Sequence, residues 1–229
     1  MEILPNGYTL KIYEGCFPLS TDSMVLAHFA RLPKKAQVLD LGAGCGTLGL
    51  LLCAQREDCH VTGLEADETA HQGALDNIVR NRLDHRMLSL LGDLREPSAV
   101  PAGAFDVCIS NPPYFGGGPA SKLKDARRTD LCSMDDLFRA AARALKYGGD
   151  FFLVHRPEAL AQLCACAVSH SLEPKRICLV RHRSTDAVSL VLVQCRKGGK
   201  PGLLWEELSL FTPDGTPTDT YQQIYHQEA

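Results

Sequence analysis

From about residue 36 the chain alternates short apolar runs with stretches whose apolar residues recur at helical spacing. Gln37-Val38-Leu39-Asp40-Leu41 is an apolar run closed by an acid and then by glycines, which fits a strand buried on both faces. Residues 47–55 carry Leu48, Leu50, Leu51 and Leu52 and read as a buried helix. A second strand covers 60–65. A helix over 68–82 follows, with Ala70, Ala74, Ile78 and Val79 as a partial stripe. Strands three and four fall at 87–91 and 105–110. Ser133 caps a helix that starts at Met134 and is expected to stop at Gly148-Gly149. Residues 150–154 form a fifth strand, Pro157 opens another helix as its first residue, and 177–180 and 187–193 are two last strands.

Strands separated by helices imply a doubly wound α/β architecture. The last two strands leave no room for a helix between them and are expected to be antiparallel. The expected fold is therefore a seven-stranded, mostly parallel, Rossmann-like sheet with its last strand antiparallel. It forms one domain over 1–229. Residues 1–35, a hairpin at 8–13 and a helix capped at Thr21 or Asp22, are too few to fold alone and are expected to pack on it. Residues 196–229 are a C-terminal extension.

Composition changes little in this picture, but charge adds to it. The 229 residues are 45% hydrophobic and 22% charged, as in ordinary globular domains. No apolar stretch is long enough to span a bilayer, and the N-terminus lacks the charged and apolar regions of a signal peptide. A cytoplasmic location is expected. The ten cysteines contain no Cys-x-x-Cys pair and read as reduced, mostly buried small hydrophobes. The histidines form no ligand-like pair, so no metal is expected. The net charge of −3 conceals a division: −5 over residues 1–110, +7 over 111–200 and −5 over 201–229. That excludes a generally basic nucleic-acid coat protein but allows a local cationic surface.

The first strand runs into Gly42-Ala43-Gly44-Cys45-Gly46 and then a helix. Glycines there permit a tight turn and close approach of a ligand. The third glycine comes one residue earlier than in the dinucleotide fingerprint. Asp40, just ahead of the loop, would repel a pyrophosphate. It suits a ligand with cationic groups, and S-adenosylmethionine carries an ammonium and a sulfonium. Glu65 ends the second strand, where an acid can accept bonds from ribose hydroxyls. Asp93 follows the third strand at the same sheet edge and can accept from an adenine amine.

Asn111-Pro112-Pro113-Tyr114 follows the fourth strand. An amine on a planar ring or amide is a poor nucleophile because its lone pair is delocalised. The Asn111 side-chain oxygen and the Pro112 carbonyl can accept both of its N–H groups and turn the lone pair toward an electrophile. Two prolines fix the loop's φ angles and preorganise these acceptors. Tyr114 offers a flat face, and stacking on such a ring is worth about 1–3 kcal/mol per base.

With the loop at 40–46, these residues resemble class I S-adenosylmethionine-dependent methyltransferases that act on planar nitrogens. Within that group the chain resembles the tRNA1(Val) adenine-N6-methyltransferase family. The stretches at 17–26, 145–151 and 197–202 (Lys197-Gly198-Gly199-Lys200-Pro201-Gly202) also carry the likeness. The resemblance implies that Thr21 and Asp22 close over the cofactor, that Asn111 also borders it, and that the substrate is a tRNA adenine beside the anticodon. Ser20 stands where a glycine is common in the family. Cys45 stands where a small polar residue is frequent.

Lys122, Lys124, Arg127 and Arg128 follow the Asn-Pro-Pro-Tyr segment and Gly116-Gly117-Gly118, and are expected to hold RNA phosphates. Lys175, Arg176, Arg181 and Arg183 flank the sixth strand, with Lys197 and Lys200 beyond the seventh; together they favour an anionic substrate gripped through one face. Two other readings use the same residues: methylation of a protein glutamine amide, as in release-factor methyltransferases, and a non-catalytic adaptor that binds the cofactor. The first of these resembles a longer architecture with a helical domain ahead of the cofactor strand.

Overall fold

A computed structural model describes residues 1–4, 7–13, 16–114 and 132–225. Strands β1 (Glu2–Ile3) and β2 (Thr9–Leu10) form a small antiparallel ribbon. Helix α1 (Thr21–Phe29) follows, then β3 (Gln37–Leu41), α2 (Thr47–Gln55), β4 (His60–Glu65), α3 (Glu68–Arg80), β5 (Met87–Leu91) and β6 (Phe105–Ser110). After the catalytic-loop candidate come α4 (Met134–Ala144), β7 (Leu145–His155), a 3-10 turn (Pro157–Ala159), α5 (Leu160–Ser169), β8 (Leu172–Arg183), β9 (Leu190–Lys197), β10 (Leu204–Phe211) and α6 (Asp219–Tyr225).

Strands β3 to β10 make one sheet in the order β10-β8-β9-β7-β6-β3-β4-β5, and β9 runs antiparallel to both neighbours while the other pairs are parallel. Alternating side chains feed two cores, as period-2 strands require. Val38, Val107, Ile109, Phe152, Val154 and Leu192 pack with α1 and α2. Leu39, Leu41, Cys108, Phe151, Leu153 and Val193 pack with α4 and α5 on the other face. All ten cysteines are free thiols, six of them buried. Among the described residues no helix is long and apolar enough to cross a membrane.

Four details differ from the sequence expectation. The sheet has an eighth strand, β10, paired parallel to β8; only one of its residues is buried and it lacks the apolar run that marks a strand from sequence. The hairpin pairs Glu2 with Leu10, so its second strand falls within the expected 8–13 segment and its first lies ahead of it. The N-cap of α1 is Ser20, whose side chain accepts from the Ser23 amide, so Thr21 and Asp22 are the helix's first residues. Helix α4 ends at Ala144 because Leu145, fully buried, pairs with Phe105 and starts β7. Gly148 and Gly149 then take up a register shift in the β6–β7 pairing: Gly148 has φ +81°, and a Cβ on Gly149 would lie 2.9 Å from the Asp106 carbonyl oxygen.

Candidate active site

The parallel strands β3, β4, β6 and β7 end at one edge of the sheet, and the loops that leave them carry most of the candidate residues. Ligands of open α/β sheets bind at this edge. Asp40, next to last in β3, is 1% exposed. Both of its carboxylate oxygens are buried without a hydrogen-bond partner among the described residues. Burial, and then the nearby negative charge of Glu65, push its pKa up to about 8. A buried carboxylate without a partner is costly unless a ligand completes it.

The turn after β3 adopts left-handed backbone at Gly42, Gly44 and Gly46, with φ of +73°, +57° and +86°. Open space surrounds the missing Cβ positions of Gly42 and Gly44. The turn is fixed from below. The Glu65 carboxylate accepts the Gly44 amide at 2.7 Å and the Asp67 amide at 2.9 Å. Glu65 thus shapes the loop with one lone pair on each oxygen, and the others stay available for hydroxyl donors. Asp93 is held by Arg95, with the guanidinium Nε at 3.0 Å, and this ion pair keeps its carboxyl below the usual range. An adenine amine at Asp93 would have to share it with Arg95.

Asn111 and Tyr114 are positioned by α1. Ser110 Oγ donates to the Leu41 carbonyl at 2.7 Å and locks the end of β6 to the end of β3. Asn111 Nδ2 then donates to Ser23 Oγ at 3.0 Å. That bond uses the amide nitrogen and leaves Oδ1 as the acceptor available to a substrate amine. Pro112 is buried. The Tyr114 hydroxyl donates to the Asp22 carboxylate. Burial and that carboxylate hold the phenol proton on well above its usual pKa. The His155 ring meets Tyr114 edge-on at 5.2 Å, and the Arg156 guanidinium lies 4.8 Å from the Tyr114 centroid. Thr21 Oγ1 accepts from the Tyr225 hydroxyl of α6 at 3.3 Å.

The structure therefore joins Thr21, Asp22, Asn111 and Tyr114 through direct side-chain bonds to one another or to neighbours on α1 and α6. It joins Gly44 to Glu65 and sets Asp40 beside them. Ser23, His155 and Arg156 were not legible as site residues, because their roles depend on where α1 and the end of β7 meet the Asn111 loop. Lys122, Lys124, Arg127 and Arg128 lie outside the described residues. Away from this edge, Asp135, Cys166 and His170 bring one potential metal-ligand atom each within 4.8 Å. Asp135 is exposed there and already paired with Arg139 and with His170.

The free carboxylate of Asp40 and the open glycine turn fit a ligand with positive groups and a ribose. A family model described as the methyltransferase small domain matches residues 20–164. A tRNA1(Val) (adenine(37)-N6)-methyltransferase of Aeromonas hydrophila is 30% identical over 233 residues, covering 96% of this chain and 95% of that protein. One from a Shewanella strain is 38% identical over 136 residues, which span only 57% of its length. Among solved structures, a predicted O-methyltransferase from Agrobacterium tumefaciens superposes with a TM-score of 0.74 at 22% identity, covering 89% of this chain and 95% of that one. This last likeness concerns the fold.

Proposed function

The chain belongs to the methyltransferase small domain family and is an S-adenosylmethionine-dependent methyltransferase, and from that premise we propose that it methylates N6 of an adenine in tRNA, beside the anticodon. Asp40, Gly42, Gly44, Gly46, Glu65 and Asp93 would hold the cofactor, with Thr21, Asp22 and Asn111 bordering it. S-adenosylmethionine supplies a methyl group on a sulfonium. The protein's part is to present the acceptor nitrogen. Asn111 Oδ1 and the Pro112 carbonyl accept its two N–H groups and direct the lone pair at the methyl carbon. Tyr114 carries the face of the base, which must leave its stack to arrive there. No strong general base is required, since a proton is lost from the nitrogen once the methyl is on it.

The observation that carries this reading is the bond from Asn111 Nδ2 to Ser23 Oγ. With the amide nitrogen on Ser23, the oxygen is the end offered to the substrate. A site that accepts two N–H groups suits an exocyclic amine or a primary amide. The relatives named for tRNA adenine methylation favour the amine, and a tRNA substrate places the activity in the cytoplasm. The test is incubation with labelled cofactor and separate pools of tRNA, rRNA, DNA and protein, followed by digestion of the labelled pool. N6-methyladenosine in the tRNA pool is expected. Label confined to glutamine amides of protein, or binding of cofactor with transfer to no pool, would contradict the proposal.

A further inference from the structure

The basic residues that follow Asn111 in sequence do not all gather around it in space. Arg181 and Arg183 end β8 at the same edge as the site, whereas Lys175 and Arg176 lie in the half of β8 nearest the opposite edge, beside the turn that carries Lys197 and Lys200. There an open groove of about 1040 Å³ is lined by Arg31, Lys146, Lys175, Arg176 and Arg196, against only Asp106 and Asp150. Four of these cations have acidic partners. Lys146 Nζ is 2.7 Å from Asp106, Arg196 is 2.9 Å from Asp150, and Arg176 is 2.9 Å from Glu206 of β10. Arg31 stays 71% exposed and lies 3.6 Å from the same Glu206. Lys175 donates to a backbone carbonyl, that of Lys200, at 2.8 Å. Lys34 and Lys35, which follow Pro33 in the chain, are exposed.

The glycine-rich tract after β9 holds Tyr147, which lines the groove. Lys197 Nζ donates to the Leu145 carbonyl at 2.7 Å, and the Tyr147 hydroxyl donates to the Gly198 carbonyl at 3.2 Å. Gly198 has φ +68°, and a Cβ there would lie 2.2 Å from the Tyr147 ring. The tract is thus shaped to seat an 82% exposed tyrosine beside the cations.

We infer that this groove is a second RNA-binding surface, which takes backbone phosphates of the helical stem carrying the target loop. The inference rests on the tRNA reading above. Charge selects an anionic occupant, and α1 gives the reach. The N-terminal end of α1 touches Tyr114 through Asp22, and the residues just after its C-terminal end, Arg31, Leu32 and Pro33, line the groove. Nine helical residues span about 14 Å, which the backbone of a structured RNA crosses and a small substrate does not.

The test compares the wild-type protein with the triple variant Arg31→Gln, Lys146→Gln, Lys175→Gln. Binding is titrated against salt for folded tRNA and for a short single-stranded oligonucleotide bearing the target adenine. The variant is expected to bind tRNA roughly tenfold more weakly at moderate salt, with a salt slope smaller by about 2–3. Its affinity for the oligonucleotide, its affinity for S-adenosylmethionine and its thermal midpoint should be unchanged. An unchanged tRNA affinity and slope, or equal weakening toward both RNAs, would overturn the groove. If the slope falls but wild type places no methyl on tRNA adenine, the groove stands and the proposed function fails. Methylation with an unchanged slope gives the reverse.

Discussion

At the scale of one residue, Asp40 is the buried acid beside the glycine turn where the cofactor is proposed to bind. Its folded-state pKa of about 8 lies far above its ordinary value of 3.8, so between those values the folded chain holds a proton that the unfolded chain has released. Its favourable contribution is complete below about pH 4 and is lost as pH rises through about 8. Ligand-free protein should therefore lose stability across that range, with a slope from this group approaching about 1.36 kcal/mol per pH unit. Asp40→Asn should flatten that dependence and also weaken cofactor binding. Urea unfolding at a series of pH values checks it, and an equal slope in the variant would remove Asp40 as the source. Asp40, Glu65 and Asn111 were legible as candidates because an acid or amide at a strand end has few structural uses. Ser23 was not, since its role exists only once α1 lies against the β6 loop.

Among the elements, α4 shows what local sequence specifies well. Ser133 and Asp136 form a reciprocal capping box, with Ser133 Oγ accepting the Asp136 amide at 3.1 Å and Asp136 accepting the Ser133 amide at 3.0 Å. Ser133→Ala should cost about 1 kcal/mol of stability, read from urea unfolding, and leave methyl transfer per folded molecule unchanged. A loss of transfer without a loss of stability would assign Ser133 to the site instead. The C-terminal end of the same helix departs from its local sequence signal for a physical reason. Gly148-Gly149 has the composition of a helix stop, but Leu145 is buried completely in the sheet and draws the chain into β7 before the glycines are reached. Strand β10 was invisible for a related reason. As an edge strand it exposes Leu204 and Trp205 and intersperses Glu206 and Glu207, so its hydrophobic alternation is broken.

Over the whole molecule, the division of charge along the chain becomes a division in space. The acidic C-terminal segment is partly drawn into the sheet through β10. Glu206 and Glu207 of β10 pair with Arg176 and Arg181 of β8, so part of its charge neutralises strand-borne cations inside the sheet. Among the described residues the remaining cations lie at both edges of the sheet, and the proposed groove would add a second gripping surface to the one expected beside Asn111. The doubly wound order and the antiparallel β9 were legible from alternation alone, because crossover length dictates strand direction. The placement of Lys175 and Lys200 at the edge opposite Asn111 was not, because it depends on α5 returning the chain to that edge before β8 and on β9 running back to it.

In the proposed function, Asn111 is the group that presents the acceptor nitrogen. The most direct measurement sets wild type beside Asn111→Ala, with methyl transfer to tRNA and S-adenosylmethionine affinity recorded on the same preparations. Wild type should yield N6-methyladenosine, and the variant should lose transfer by a factor on the order of 100 or more, as for loss of a preorganised polar group at a reacting centre, while binding the cofactor nearly as well. Transfer by Asn111→Ala at a rate close to wild type would contradict the assignment.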